Sequence, residues 1–281
     1  MTKKKLITLI CVCVVFAGLV GGVVYMLLQK PQDTPTPTDT TQTTVPETTT
    51  APTTVPVETA PPALEFAYEG DYLTCTTAPS VLGIDVSTFQ KQINWKKVKK
   101  AGVEFVMIRL GYRGFVEGVL FEDEWAQKHY KGAKEAGLKV GGYFFSQAIS
   151  QEEAKEEAEY CLQIIKGWEV EMPIVFDWEF VKDGYRTDVV TARMLTDCTK
   201  MFCHTIEQAG YQSMVYFNPT QSRKKMHMDE LTDYGFWLAM YDEDIDYEYR
   251  VDMWQYTNKG KVPGVKGNVD IDLYFPREEI S

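Results

Sequence analysis

Pro173-Ile174-Val175-Phe176-Asp177-Trp178-Glu179-Phe180 is an apolar run that ends in two carboxylates two residues apart. It is short and β-branched, which favours a buried strand over a helix. On a strand, residues i and i+2 share a face, with Cα atoms roughly 6–7 Å apart. Asp177 and Glu179 therefore project together, while Trp178 steps to the other side. Two carboxyl groups held together at the end of a buried strand are the arrangement that glycoside hydrolysis uses. Taken alone, the octapeptide fits equally well an ordinary strand end carrying two solvated acids.

Working outward, strands alternate with helices. Strands are predicted over 81–86, 104–110 and 138–145, and helices over 94–101, 122–136 and 150–166. Asn94 caps the first helix, Gly102 and Gly137 stop the first two, and Ser150-Gln151-Glu152-Glu153 is a capping box. After the 173–179 strand come a helix over 188–209, ended by Gly210, and a strand over 213–217. Three further strands, 236–241, 252–256 and 269–273, are joined by segments too short or too rich in Gly and Pro for full helices. Five βα units followed by three thinly connected strands imply an α/β chain. Its residues 81–281 form an irregular, closed, eight-stranded β/α barrel with about five helices. A doubly wound open sheet is the main alternative. No G-x-G-x-x-G follows the first strand, which argues against a dinucleotide fold.

The N-terminal part is a different material. Residues 1–5 carry three lysines, and residues 6–28 contain no charged side chain. As a helix that run spans about 35 Å, enough to cross a bilayer with some tilt. The lysines put the N-terminus in the cytoplasm and the rest of the chain outside the cell membrane. The competing reading is a cleaved signal peptide, but its apolar region would be shorter, and no small-x-small site precedes Lys30. Residues 29–62 hold eight of the thirteen prolines and thirteen threonines. Such a segment buries no core and is expected to be a disordered stalk, reaching on the order of 100 Å if extended. Residues 63–80 are a transition, an added strand or a strap on the barrel.

The formal net charge of −11 argues against a nucleic-acid partner. The six cysteines do not form a disulfide framework, since Cys11 and Cys13 lie in the apolar span. Whether one bridge forms between two of Cys75, Cys161, Cys198 and Cys203 stays open. His129, His204 and His227 match no metal-ligand pattern, so no metal and no cofactor are expected. A monomer is expected.

In such a barrel, chemistry sits at the C-terminal ends of the strands. Asp85, the Asp177–Glu179 pair, and Asp270 with Asp272 fall at predicted strand ends, and strands 1 and 8 face strand 4 across the mouth. Like charges at close range keep a carboxylic acid protonated near neutral pH. Tyr112, Tyr143, Tyr216, Tyr241, Trp254 and Tyr256 fall at the same ends, which suits stacking on sugar rings. Each one singly also fits a core position.

Five ordered segments carry a resemblance. They are Leu82-Gly83-Ile84-Asp85-Val86-Ser87-Thr88-Phe89-Gln90, Ile108-Arg109-Leu110-Gly111-Tyr112-Arg113-Gly114, Phe176-Asp177-Trp178-Glu179, Trp254-Gln255-Tyr256 and Gly267-Asn268-Val269-Asp270. Together they resemble the glycoside hydrolase family 25 lysozymes (N-acetylmuramidases) over about residues 81–276. The resemblance implies cleavage of the β-1,4 bond between N-acetylmuramic acid and N-acetylglucosamine in peptidoglycan glycan strands. It implies Glu179 as general acid. Asp177 would be its helper, either orienting the substrate's 2-acetamido group or stabilising positive charge. Asp85 and Asp270 would be the remaining acids, and Tyr143, Tyr216, Gln255 and Trp254 would contact substrate. Two departures stand out: Tyr143-Phe144-Phe145 where many members have Tyr-His-Phe, and Asp270-Ile271-Asp272 where many have Asp-x-Asn. The first is expected to remove a hydrogen bond, and the second to shift the pH optimum. The expected protein is a peptidoglycan hydrolase anchored in the cell membrane. Its alternatives are a non-catalytic peptidoglycan-binding barrel and a glycosidase for another N-acetylated polymer. The chitinase signature D-x-x-D-x-D-x-E is missing, because Ile174, Val175 and Phe176 precede Asp177.

Overall fold

A computed structural model describes residues 64–181 and 184–276. The expected anchor (6–28) and stalk (29–62) lie outside the described residues. Among the described residues, no helix is long and apolar enough to cross a membrane.

The chain begins with an antiparallel hairpin, β1 (Phe66–Glu69) and β2 (Tyr72–Cys75). It then builds β3 (Val81–Val86), α1 (Trp95–Lys100), β4 (Phe105–Arg113), β5 (Leu120–Glu122), α2 (Ala126–Glu135), β6 (Lys139–Ser146) and α3 (Gln151–Ile164). The second half is β7 (Ile174–Trp178), α4 (Ala192–Gln208), β8 (Ser213–Phe217), α5 (Pro219–Lys225), β9 (Gly235–Ala239), β10 (Met253–Gly260) and β11 (Val269–Tyr274). The caps are those the sequence announces. Asn94 Oδ1 accepts from Lys97 N at 3.2 Å, and Ser150 Oγ accepts from Glu153 N at 3.3 Å. Two helices start four residues later than expected. Residues 120–122 pair back onto β4 as a short strand instead of opening a helix, and α4 starts after Thr191 rather than at Asp188. In both places local pairing or a better cap overrides helix propensity.

Among the described residues eight strands close a barrel, in the order β3-β4-β6-β7-β8-β9-β10-β11 and back to β3. All neighbours from β3 to β10 are parallel, but β11 runs antiparallel to both β10 and β3. This corrects the expectation that the acids of the last strand stand at its C-terminal end. Only eight residues separate β10 from β11, and a parallel crossover needs a dozen or more. The strand can therefore only turn back. Closure leaves no exposed edge among the eight.

Strand alternation sorts the side chains. Phe105, Met107, Met172, Val175, Met214, Trp237 and Met253 fill the barrel interior as one apolar cluster. Their neighbours in sequence, among them Val106, Ile108, Phe176 and Leu238, pack outward under the helices. The plug means that water reaches polar groups in the barrel from the mouth. Cys75, Cys161, Cys198 and Cys203 are buried free thiols. The hairpin β1–β2 straps the outside of β10, with Phe66 edge-on to Trp254 at 4.8 Å between ring centroids.

Gly83 shows how tight the plug is. It pairs with Phe105, and a Cβ added there would lie 2.1 Å from Phe105 Cζ. Gly83→Ala is expected to cost about 1–3 kcal/mol by overpacking. Denaturant unfolding checks this: the cost should shrink in a Phe105→Leu background, and an equal cost in both backgrounds rules the clash out.

Candidate active site

Strand β7 delivers the two carboxylates. Val175 joins the barrel plug, while Ile174, Phe176 and Trp178 pack outward. Period-2 alternation then turns Asp177 and Glu179 to the inside, at the mouth. Asp177 is only 4% exposed, and Glu179 is half-buried. The β7–β8 ladder ends at Asp177 and the β6–β7 ladder at Trp178, so Glu179 lies past both. Side chains take over there. Gln147 Nε2 donates to Glu179 O at 2.9 Å, Gln221 Nε2 donates to Trp178 O, and Trp178 Nε1 donates to Ala148 O at 3.2 Å. Gln147 is itself held, since its carbonyl accepts from Arg186 Nη1 at 2.8 Å and Arg186 pairs with Glu153 on α3.

The opposite wall is the closing seam. Asp270 on β11 is the register partner of Asp85 on β3. Asp270 reaches the mouth because its strand is reversed: it stands at the N-terminal end of β11, where a C-terminal end was expected. Gln255 holds Asp85 in place. Its Nε2 donates to Asp85 Oδ2 at 2.8 Å, and its Oε1 accepts from the hydroxyls of Tyr216 at 3.1 Å and Tyr241 at 2.9 Å. Gln255 is 4% exposed, and its amide links Asp85 to both tyrosines. Tyr143 and Tyr216 stand edge-on to Trp237, at 5.9 and 5.0 Å between centroids. Arg109 lies at the same end, its guanidinium 2.8 Å from Asp123 and over the rings of Phe89 and Tyr112.

The structure thus brings Asp85, Asp177, Glu179, Asp270, Tyr143, Tyr216 and Gln255 to one mouth. It does not bring Trp254. That side chain is fully buried on the outer face of β10, against Phe66, with Nε1 donating to Met240 O at 2.7 Å. Alternation decides this: Met253 and Gln255 face in, so Trp254 faces out. The sequence assigns no site role to Arg109, Gln147 or Gln221, while Tyr241, expected among the aromatics at the strand ends, does reach the mouth through its bond to Gln255. Arg109 had a signal, since it continues the inward series Phe105, Met107. Gln147 and Gln221 had none, because their roles depend on which backbone lies beside them.

Burial raises Asp85, Asp177, Glu179, Asp270 and Asp272, and neighbouring carboxylates add to it at all but Asp270. Glu179 is pushed up to about 7 by burial and by the Asp270 carboxylate. Asp270 is pushed up to about 6 by burial. Asp177 is raised by burial and by Glu179, against the opposing pull of Arg109. Asp85 is raised by burial, Asp270 and Asp272, with the Gln255 hydrogen bond acting the other way. The sequence puts Asp272 at a strand end beside Asp270. It lies deeper, paired with Gly83 and fully buried, with Oδ1 accepting from Trp237 Nε1 at 2.9 Å and Oδ2 without a partner. Burial and Asp270 hold its pKa well above the usual carboxylate range. Such a cluster keeps protons near neutral pH, and Glu179, the more exposed of the β7 pair, can pass one to a ligand.

A fold and site of this kind define a glycoside hydrolase barrel. The family model for glycosyl hydrolases family 25 matches residues 84–265, and the chain belongs to that family. The match contains Asp85, Asp177 and Glu179 and stops before Asp270. The chain is 29% identical over 195 residues to the autolytic lysozyme of Clostridium acetobutylicum, covering 68% of this chain and 55% of that protein. Lysozyme M1 of Streptomyces globisporus is 28% identical over 204 residues, covering 68% of this chain and 66% of the other. Among solved structures, the modular autolysin LytC from Streptococcus pneumoniae superposes with a TM-score of 0.62 at 26% identity, over 70% of this chain and 47% of LytC. LytC has also been solved with a synthetic peptidoglycan ligand. The chain thus spans about half the length of the clostridial lysozyme and of LytC. A family 25 hydrolase from Bacillus anthracis, at 21% identity and a TM-score of 0.60, shares the fold.

Raised carboxyl pKa values mean that the folded state binds more protons than the unfolded chain, from about pH 4 to 7. Stability therefore falls as pH rises through that window. Asp272→Asn keeps the acceptor for Trp237 and removes one titrating acid. Thermal unfolding should show a higher Tm than wild type at pH 7.5 and a smaller difference between pH 5 and 7.5. An unchanged pH slope would contradict the assignment of a raised pKa to Asp272.

Proposed function

We propose that this protein hydrolyses peptidoglycan by cleaving the β-1,4 bond between N-acetylmuramic acid and N-acetylglucosamine. The observation that carries the reading is the placement of Asp177 and Glu179 on the inner face of β7, opposite Asp85 and Asp270. Membership of family 25 and the likeness to lysozymes support the substrate class.

Glu179, protonated near neutral pH, gives its proton to the glycosidic oxygen as the bond to C1 breaks. Asp177 lies one step deeper. It aligns the 2-acetamido group, whose oxygen closes on C1 from the opposite face. The ionised Glu179 then takes a proton from the water that opens the cyclic intermediate. Gln255, Tyr216 and Tyr241 hold Asp85 toward the substrate. The clamp of Gln147 and Gln221 fixes the Glu179 backbone where no strand partner does. We further propose that residues 6–28 anchor the chain in the cell membrane, with the barrel on the wall side at the end of the 29–62 stalk.

Residues 63–281 should release reducing muramic-acid ends from purified walls, and Glu179→Gln should lower the rate at least about 100-fold. The first product by NMR should be the β-anomer. Inverted product would remove the acetamido step, and a folded wild-type domain inert on several walls would remove the whole reading. Full-length protein should sediment with membranes and resist salt extraction. Recovery in the soluble fraction counts against the anchor.

A further inference from the structure

Beside the mouth lies a second concavity that the catalytic reading does not use. It has a volume of about 430 Å³ and sits between the turn of the β1–β2 hairpin, the segment after β9 and the mouth-side end of β10. Tyr68 and Tyr241 stand on its rim, 63% and 53% exposed, and Asp71 and Asp242 line it. Tyr241 is common to both sites, because its hydroxyl bonds Gln255 in the acid cluster.

The hairpin wall is fixed in place. Leu73 N donates to the hydroxyl of Tyr256 at 3.4 Å, Tyr72 OH donates to Lys261 O at 3.3 Å, and Phe66 packs on Trp254. Tyr68 and Asp71 also lie outside the family match, which begins at residue 84. The hairpin therefore adds a wall to the barrel that the matched region does not contain.

We propose that this concavity is an additional subsite for one N-acetylated sugar ring of the glycan strand, beyond the ring held at Asp85 and Glu179. This inference rests on the proposed hydrolase function. The volume falls in the range of small-ligand pockets. An exposed tyrosine face suits the CH face of a pyranose, and Asp71 and Asp242 supply acceptors for its hydroxyls. Continuity through Tyr241 makes the same strand the occupant, and makes cleavage depend on chain length.

The test uses the full chain, Tyr68→Ala and defined peptidoglycan oligosaccharides, a tetrasaccharide and an octasaccharide. Tyr68 touches no catalytic group, so the tetrasaccharide kinetics should match wild type. For the octasaccharide, KM should rise about three- to tenfold with kcat unchanged. Equal kinetics on the octasaccharide, or an equal loss on both lengths, overturns the subsite. Calorimetric titration in the Glu179→Gln background gives a readout free of catalysis, where Tyr68→Ala should weaken octasaccharide binding by the same factor. If wild type cleaves neither oligosaccharide, the hydrolase reading fails. The subsite then stands or falls on whether Tyr68→Ala changes octasaccharide binding.

Discussion

The pairing of β11 with β3 is the constraint on which the rest depends. It closes the barrel, so the eight strands have no edge, and it sets Asp270 directly beside Asp85. A favourable backbone ladder thereby forces two like charges together. The seven apolar side chains of the plug keep water out from below. Carboxyls in that position cannot all ionise, so the cluster retains protons near neutral pH. One register choice thus supplies mechanical closure and acid chemistry.

This arrangement is held against its own electrostatic cost. Asp177 Oδ1 and Asp272 Oδ2 are buried without hydrogen-bond partners, and each such atom costs about 1–3 kcal/mol unless the acid stays neutral. The compensation is spread through the scaffold. Gln255 neutralises part of the Asp85 problem with one donated hydrogen bond and joins it to two tyrosines. Arg109 offsets Asp177 from the neighbouring wall. Buried Arg113, paired with Glu157 at 2.7 Å and bonded to Gly118 O at 2.6 Å, ties the loop after β4 to α3. From α3 the Glu153–Arg186 pair reaches Gln147 and so Glu179. The mouth of the barrel is therefore braced by polar contacts, and the other end by packing.

Much of this was legible in the residues. The octapeptide around Asp177 read as a strand because it is short, β-branched and bounded by Pro173, and period 2 put its two acids on one face. The caps at Asn94 and Ser150 were readable because capping is local chemistry. Trp254 misled because it follows a strand of aromatic and polar residues in which either parity looks buried; the strap from β1–β2, far away in sequence, covers the outer side. The direction of β11 was recoverable from its eight-residue connection, although its acids were expected at a C-terminal strand end. Gln147 and Gln221 were invisible, since a glutamine that bonds a distant carbonyl looks like any other.

The sequence by itself determined the eight barrel strands and helices α1 to α4, the inward parity of Asp177 and Glu179, and the presence of acids on the first and last strands. These follow from local propensity and alternation, which act over a few residues. Tertiary structure alone decided which acids meet, which of them is exposed enough to give up a proton, and that Asp272 lies sealed beneath Trp237. Those properties come from strand direction and register across the whole barrel, and from burial, which no single stretch of chain possesses.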